Sequence, residues 1–559
     1  MDHRSRVVRN AALAFVGLLA AANTVGAQTL PVPTVPGLRP TAATVAQILA
    51  AYRSARGTAT APSPTRYERW TISSGGLSGT LTYLSDGRDY RETAVLGPFT
   101  SAFGRKGDQS WEQDENGFTI VTSAADTAGR ITRRAVGKAL ADASAANLRV
   151  LGSTAGAHAA FVLEADPPRG RPMLLFFDRH SGLLVRKETI ADGQPLVTAY
   201  SDFRTVQGLT RAWHLHAGNG EAGDDVDERL VSFVLGRAVR ARTFDIPTNR
   251  RLVVQFPPGQ PVVPLPGHMA DTAAVVRVRI GDRGLDFLLD SGSSGIVIDS
   301  ATAAQLGLRT YGTTTDTVAG TFTEHRAIIP EMRIGRLRMH DVVVTSLPLS
   351  YRPDYKTRIV GLLGFDFIAD AVVHLDFVHG RMTAIDPGRF SMPSGPILTI
   401  PVDLDEQVPM ANVSIGRADG SRFIVDTGAD VSMVFSRFAT AHPNSVHNIA
   451  NGHYYLEYFP SVSHAEGVGG GSFDIKPVIV PDLRVGTLQF GKWFLYESAA
   501  PPSFEGDNDD GLIGRDFLRF FDLYLDYVRG RIVLTPNRAF YKVFEVTPLP
   551  AKTSRPPPL

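Results

Sequence analysis

The chain has 559 residues, which on length alone is enough for roughly three to four domains. Apolar residues make up 43% of it and charged residues 20%, a composition typical of globular proteins. The formal net charge is +1 and no block of basic residues occurs, so nucleic acid is not an expected partner. The chain contains no cysteine, which excludes disulfide bonds and thiol catalysis.

The first residues predict an exported protein. Three arginines within the first nine residues precede an apolar run over residues 11–22, and a small-residue segment ends at Ala27. This order is typical of a signal peptide over residues 1–27, cut after Ala27. A membrane anchor is the alternative, but the run is shorter than the ~20 residues that a span requires. We therefore expect a periplasmic or secreted protein with no transmembrane anchor after signal removal.

The next segments predict a linker and an N-terminal β domain. Residues 28–40 are rich in proline and predict an extended linker. Residues 41–250 predict an antiparallel sheet with helices, because short apolar alternations are separated by turn residues. The predicted elements are helices over 41–56 and 134–147, strands at 66–70, 78–84 and 161–163, and a hairpin of 174–178 with 183–186.

This domain resembles the lipoprotein-carrier domains of bacterial envelopes. The residues that carry the resemblance are the hairpin, the segment 200–204 and Gly208. In that family a curved antiparallel sheet covers a helix and an apolar cavity. The resemblance therefore implies an apolar ligand as a partner of the N-terminal domain.

A pattern of apolar residues followed by aspartate occurs twice after the proline-rich segment 251–268, which we interpret as a second linker. The two copies are Phe287–Gly292 and Phe423–Gly428, and each places Asp, then Ser or Thr, then Gly after an apolar run. Each copy has a matching downstream segment, at 361–367 and 511–517. The sequence therefore predicts two homologous lobes, over 269–392 and 393–545, with a disordered tail at 546–559.

These motifs resemble the aspartic proteases of the pepsin and retropepsin clan, in which two mainly β lobes each contribute one aspartate. The resemblance implies that Asp290 and Asp426 form a catalytic dyad and that Ser291 and Thr427 cross-brace the two motif loops. Gly292 and Gly428 fit because a residue without Cβ lets the backbone approach a carboxylate closely. The implied fold class is mainly β: two β-rich lobes preceded by a sheet-plus-helix domain.

Two adjacent carboxylates can hydrolyse a peptide bond without further groups. They cannot both ionise cheaply, so the pair shares one proton. The ionised member can accept a proton from water, while the other donates a hydrogen bond to the substrate carbonyl. The expected substrate is a peptide or protein, with no metal and no cofactor. One chain supplies both aspartates, so a monomer is sufficient for catalysis.

The two motifs differ at positions that carry charge or hydroxyl groups. The second lobe has Asp430 and Arg515 where the first has Ser294 and Phe365. In retropepsins the corresponding pair braces the active-site loop, so we expect Asp430 and Arg515 to pair. Two surface charges that do not meet are the alternative.

A second difference concerns the shared proton. Ser293 could donate a hydrogen bond to Asp290 and favour its ionised form, whereas Ala429 offers no equivalent side chain. On this reasoning the proton lies more often on Asp426.

Glycine-rich segments between each aspartate and its downstream glycine suggest the hairpin flaps of this family. Gly467, Gly469 and Gly470 mark the second-lobe flap, and Gly320 marks the tip of the first. Flexible solvent loops are the alternative reading of these glycines. Histidines near the flap and near 374–379 lack the paired spacing of a zinc site.

The sequence thus predicts an exported aspartic endopeptidase. The alternative is a non-catalytic envelope binding or carrier protein that uses the protease fold as a docking module. Whether the N-terminal half is an activation segment stays open.

Overall fold

The computed structural model describes residues 33–543 apart from 61–64, 124–127, 143–146, 157, 169, 192–193, 221–222, 249–253, 318–320, 350–356, 405–406, 450–463, 467–471, 487 and 499–508. The predicted signal peptide, 1–27, and the predicted tail, 546–559, lie outside these residues. The described end of the predicted linker 28–40 is bound to the N-terminal domain, because Arg39 forms an antiparallel bridge with Ser153.

The N-terminal domain is one antiparallel sheet, in which the described strands follow the order β6-β5-β4-β3-β2-β1-β13-β12-β11-β10-β9-β8-β7. The predicted hairpin is confirmed as β9 and β10. The strands are β1 (Arg66–Ser74), β2 (Leu77–Ser85), β3 (Tyr90–Leu96), β4 (Phe99–Lys106), β5 (Gln109–Gln113), β6 (Thr119–Ser123), β7 (Leu148–Ser153), β8 (Ala160–Ala165), β9 (Met173–Asp178), β10 (Leu184–Ala191), β11 (Gln194–Val206), β12 (Leu209–Gly218) and β13 (Val226–Leu235).

Two helices, α1 (Val45–Arg56) and α2 (Ala128–Asp142), pack on this sheet. Thr44 and Gln47 form a capping box at the start of α1, and Tyr52 meets Phe177 of the sheet edge-on with ring centroids 5.5 Å apart. Helix α2 begins and ends earlier than the predicted 134–147. Its buried positions, Thr132, Val136, Ala139 and Leu140, follow a helical repeat that starts before residue 134.

The first lobe, 269–392, is built on a sheet of order β14-β22-β19-β23-β18-β17-β21-β20, with β16 added beside β17. Its elements, together with two strands that precede it, are β14 (Val254–Gln255), β15 (Val262–Pro264), β16 (Gly267–Ala270), β17 (Ala273–Ile280), β18 (Arg283–Leu289), β19 (Ile296–Asp299), α3 (Ser300–Gln305), β20 (Thr310–Thr317), β21 (Thr321–Ile334), β22 (Leu337–Leu347), β23 (Ile359–Leu363), α4 (Phe365–Ile368), β24 (Val372–Asp376) and β25 (Arg381–Ile385).

The second lobe, 393–545, repeats this order of elements. They are β26 (Leu398–Asp403), β27 (Met410–Ile415), β28 (Ala418–Val425), β29 (Met433–Phe435), α5 (Ser436–Ala441), β30 (His447–Asn448), β31 (His464–Glu466), β32 (Ser472–Val480), β33 (Leu483–Val485), β34 (Leu488–Phe490), β35 (Trp493–Ser498), β36 (Gly511–Ile513), α6 (Arg515–Leu518), β37 (Phe521–Asp526), β38 (Arg531–Pro536) and α7 (Arg538–Val543). The prediction of a mainly β chain is therefore confirmed.

The lobes share a sheet of order β15-β25-β24-β37-β38-β26, in which β24 of one lobe pairs antiparallel with β37 of the other. Strand β15 at its edge belongs to the proline-rich segment 251–268, which was predicted as a linker. In that segment, β14 and β15 are instead paired with strands of the first lobe. Pro264 ends β15, and the proline ring is tolerated there because an edge strand needs fewer backbone donors.

The N-terminal domain contacts the first lobe along strands β20 and β21. The backbone N–H of Thr313 donates to Gly75 O at 2.7 Å, and the rings of Phe99 and Tyr311 meet edge-on at 5.5 Å. Glu115 forms a buried ion pair with Arg326. Within the described residues no helix is long and apolar enough to cross a membrane.

Candidate active site

Each of the two motif aspartates lies where a buried strand ends. Asp290 follows β18 and Asp426 follows β28, and both strands run parallel to the downstream glycine strand of their own lobe, β23 or β36. The N–H of Asp290 donates to Leu363 O at 3.0 Å, and that of Asp426 to Ile513 O at 2.9 Å. The apolar runs before the aspartates are buried, which fixes the two carboxylates at the strand ends.

The glycines of the two motifs bring the aspartates together. A Cβ on Gly292 would lie 2.6 Å from Cγ of Asp426, and one on Gly428 would lie 2.5 Å from Cγ of Asp290. Any side chain at either glycine would therefore displace the opposite carboxyl group. The two carboxyl groups are hydrogen-bonded to each other and keep part of their surface exposed.

Hydroxyl groups join the two motif loops symmetrically. Ser291 Oγ donates to Val425 O at 2.7 Å, and Thr427 Oγ1 donates to Leu289 O at 3.0 Å. Each hydroxyl also accepts the opposite backbone N–H, at 2.8 Å for Ser291 and 2.9 Å for Thr427. Both residues are 1% exposed, so these four bonds are shielded from competing water.

The structure reverses the expected position of the shared proton. Ser293 Oγ donates to Gly295 O rather than to Asp290, which accepts one backbone bond, from Gly292 at 2.9 Å. Asp426 accepts two, from Gly428 at 2.7 Å and from the N–H of Ala429 at 3.2 Å. These donors favour the ionised form of Asp426.

The pKa of Asp290 is raised well above its ordinary value, by burial and by the charge of Asp426. Burial also raises the pKa of Asp426, but the N–H donors of Gly428 and Ala429 and the bond from Asp290 oppose this. The proton therefore lies on Asp290. The prediction overlooked the backbone N–H of Ala429, because it considered side chains alone.

Asp430 and Arg515 form an ion pair beside the second motif loop. The Arg515 side chain is 2% exposed and that of Asp430 is 41% exposed. Arg515 also donates to Thr427 O at 3.0 Å and Gly428 O at 2.8 Å, and its Nε reaches Thr272 Oγ1 of the first lobe at 3.3 Å. The guanidinium therefore holds the loop that carries Asp426 against the opposite lobe.

The four predicted flap glycines, Gly320, Gly467, Gly469 and Gly470, lie outside the described residues. The strands that flank them are paired: Thr317 lies opposite Thr321 in β20–β21, and Glu466 lies opposite Ser472 in β31–β32. Each predicted flap is thus flanked by an antiparallel pair of strands.

Sequence reasoning missed two groups of contacts to the motif loops. Tyr527 Oη donates to Ser291 O of the first motif at 3.4 Å. Asn116 and Phe118 of the N-terminal domain reach Asp366 and Phe365 beside the same loop. The Asn116-Gly117 pair indicates a hairpin turn, but nothing in the sequence states what that turn contacts.

His374 and His379 have identifiable contacts, whereas His453, near the predicted flap, lies outside the described residues. The His374 ring stacks on Tyr524 with centroids 4.1 Å apart, and His379 Nδ1 lies 2.9 Å from Asp376. Among the described residues, no cluster of three or more His, Cys, Asp or Glu side chains could hold a metal ion.

Stability should fall as pH rises, because buried carboxyls beside the motif loops keep their protons. Burial raises the pKa of Asp366 to about 7, against about 3.9 in an unfolded chain. Its stabilising contribution is complete below about pH 4 and is lost as pH rises to about 7. We expect a lower melting temperature at pH 7.5 than at pH 4.5 in scanning calorimetry. Asp366→Asn should flatten this dependence; an unchanged slope would contradict the assignment.

Comparison with known proteins agrees with the geometry over part of the chain. Residues 276–367 match the family model described as "Aspartyl protease", a range that contains the first motif and its downstream glycine segment. No curated protein matches the chain.

Two solved structures are similar to the chain at low scores. One, a LolA superfamily protein from Nitrosomonas europaea, is 15% identical at a TM-score of 0.27, covering 36% of this chain and 98% of its own. The other, a DUF1329 family protein from Desulfovibrio piger, is 11% identical at a TM-score of 0.25, covering 36% and 95%. TM-scores this low support no conclusion about fold or function. The chain contains, in its first lobe, a segment that matches the aspartyl protease family.

Proposed function

We propose that the protein is an aspartic endopeptidase that hydrolyses peptide bonds with a water activated by Asp290 and Asp426. One observation carries the proposal: the two carboxyl groups face each other, and each lies against the motif glycine of the opposite lobe. Four buried hydrogen bonds between the two motif loops hold this arrangement. Such a pair is preorganised to share a proton.

The proposed mechanism follows from the protonation of the pair. Ionised Asp426 accepts a proton from a water bound between the carboxyl groups, and the water oxygen attacks the substrate carbonyl carbon. Protonated Asp290 donates to the carbonyl oxygen, which gives a tetrahedral diol. The diol collapses as the C–N bond breaks: one of its hydroxyls returns a proton to Asp290, and the leaving nitrogen takes a proton from Asp426, which restores the starting pair. Both lobes must contribute, since neither carboxylate alone can act as acid and base together.

The proposal is tested by incubating the full chain with a mixed peptide library from pH 3 to 8. A statine-type transition-state mimic is included in parallel. We expect cleavage inside the peptides, blocked by the mimic, and insensitive to a metal chelator and to serine-protease reagents. Cleavage that persists in saturating mimic would assign the activity to another site, and no cleavage at any pH would contradict the proposal.

A carrier function is the second candidate, and a cavity in the N-terminal domain favours it. The cavity has a volume of about 100 Å³ and lies between helices α1 and α2 and the sheet. Its lining is mainly apolar, including Trp70, Leu140 and Leu215, with Lys187 among the polar members. Burial lowers the pKa of Lys187 to about 7. An apolar ligand with a polar end would fit this lining.

This second candidate predicts binding without cleavage. An environment-sensitive apolar dye should bind the full chain, and filling the cavity with Ala212→Leu should reduce its affinity. A dye that binds equally well to both proteins is not in the cavity. We further propose that the protein is exported by the segment 1–27.

A further inference from the structure

The first motif loop is held by the N-terminal domain at positions where the second is held by its own lobe. In the second lobe, the N–H of Ser432 donates to Asp516 Oδ2 at 2.9 Å, and its hydroxyl donates to Oδ1 at 2.5 Å. The duplicated positions in the first lobe are Ile296 and Asp366. The N–H of Ile296 donates to Asp366 Oδ2 at 3.0 Å, but isoleucine has no hydroxyl for Oδ1.

Asn116 of the N-terminal domain supplies the missing donor. Its Nδ2 donates to Asp366 Oδ1 at 2.8 Å and to Val343 O at 3.0 Å. Its Oδ1 accepts the N–H of Val343 at 2.9 Å. The side-chain amide therefore pairs with the backbone of Val343 as a neighbouring strand would, which fixes its orientation toward Asp366.

Phe118, two residues after Asn116, packs at the place in the first lobe that corresponds to Arg515 in the second. In the first lobe the position of Arg515 is taken by Phe365, and Phe118 packs against it edge-on at 5.6 Å. Phe118 is 4% exposed and belongs to the hydrophobic core of the two lobes. Tyr527, whose hydroxyl donates to Ser291 O of the first motif, also packs against Phe365, with ring centroids 6.1 Å apart.

The loop 114–118, which carries Asn116 and Phe118, also contacts the second lobe. Arg515 contacts Thr272, in the turn between β16 and β17 of the first lobe. In the matching turn of the second lobe, Gln407 Nε2 donates to Asp114 Oδ2 at 2.7 Å. The loop 114–118 thus repeats, from the N-terminal domain, the bridge between lobes that Arg515 makes from within the second lobe.

We propose that the loop Asp114–Phe118, here called the docking loop, is a positioning element of the dyad. It holds the first motif loop as the Ser432 hydroxyl and Arg515 hold the second. The proposal rests on the proposed function. It makes the N-terminal domain a permanent part of the catalytic unit rather than a segment removed on activation. Asn116 acts through Asp366 and Ile296, so it is a positioning residue and does not touch substrate.

Asn116→Leu in the full chain tests the docking loop, because leucine keeps the volume and removes the donor. We expect kcat to fall about tenfold or more, since small displacements of catalytic groups are costly, with KM within about twofold. Hydrogen–deuterium exchange should accelerate in residues 290–296 and stay unchanged in 426–432. Ser181→Ala is the matched control, because it removes a 2.8 Å bond to Asp178 in a turn of the same domain.

Rescue separates positioning from a general loss of structure. Ile296→Ser gives the first lobe the hydroxyl that Ser432 provides in the second. Combined with Asn116→Leu, it should restore most of the lost kcat, whereas Ile296→Ser alone should not raise kcat. If Asn116→Leu does not fold, Phe118→Leu replaces it and should show the same pattern of exchange.

The outcomes separate this inference from the proposed function. Parental kcat and parental exchange in Asn116→Leu would overturn the positioning role, and so would a loss of kcat that only follows the unfolded fraction. If the parent chain cleaves nothing, the proposed function fails. Hydrogen–deuterium exchange in Asn116→Leu then decides by itself whether the docking loop holds the first motif loop. Acceleration confined to 290–296 supports the docking loop, and unchanged exchange overturns it.

Discussion

Asp290→Asn and Asp426→Asn should each lower kcat for peptide cleavage by about 10³-fold or more. General acid–base catalysis of this kind contributes about 10²–10⁴-fold, and the two carboxyls act as one unit, so the losses should not add in the double variant. At position 426 the substitution removes the base. At position 290 it leaves a hydrogen-bond donor but removes the proton that Asp290 transfers to the carbonyl oxygen.

Asp290→Asn should increase the stability of the fold although it removes activity. The pKa of Asp290 is raised by burial and by Asp426, so the stability that this carboxyl contributes at low pH is lost as pH rises through its raised pKa. Asp290→Asn should therefore raise the melting temperature at pH 8 while abolishing cleavage. Asp282→Asn is the control, because it lies in an exposed turn of the same lobe and should change neither property. Cleavage retained in either dyad variant would exclude the proposed mechanism.

Arg515→Ala should lower the free energy of unfolding by about 3–5 kcal/mol, as expected when one member of a buried charge network is removed. The loss leaves Thr427 O and Gly428 O without their donor and frees the second motif loop from Thr272. Urea denaturation at pH 6 measures it. Arg515→Lys should recover only part of the loss, because an ammonium group cannot reproduce the planar fork of a guanidinium.

Arg519→Ala is the matched control for Arg515. It lies one turn later, just after α6, is half-buried, and stacks over Phe520 at 5.8 Å. We expect less than about 1 kcal/mol from its removal. Asp430→Ala should also cost less than Arg515→Ala, since Asp430 is 41% exposed and water can replace its charge. Equal losses at 515 and 519 would show that Arg515 contributes packing alone.

The lobes could be predicted from the sequence because the two motifs repeat a local pattern. An apolar run that ends in Asp-Ser-Gly or Asp-Thr-Gly specifies a buried strand and the turn after it. Asp430 and Arg515 could be paired because both differ from their first-lobe counterparts, Ser294 and Phe365. Each of these inferences needs only residues within one lobe or their counterparts in the other.

The contacts of Asn116 and Ala429 could not be predicted in the same way. Asn116 lies 250 residues from Asp366, and its role depends on where one domain docks on another, which no local pattern encodes. Ala429 acts through a backbone N–H, which every residue except proline carries. The segment 251–268 was interpreted as a linker because prolines suggest a break, yet prolines are also compatible with the edge strand that Val262–Pro264 forms.

The pairing of Val372–Asp376 with Phe521–Asp526 sets the earliest point during synthesis at which the proposed catalytic site can form. The first aspartate emerges from the ribosome more than two hundred residues before the strand that locks the lobes together. Pairings between such distant segments also form slowly. The proposed catalytic site therefore cannot assemble, and no chain can be cut by it, until almost the whole molecule has been made.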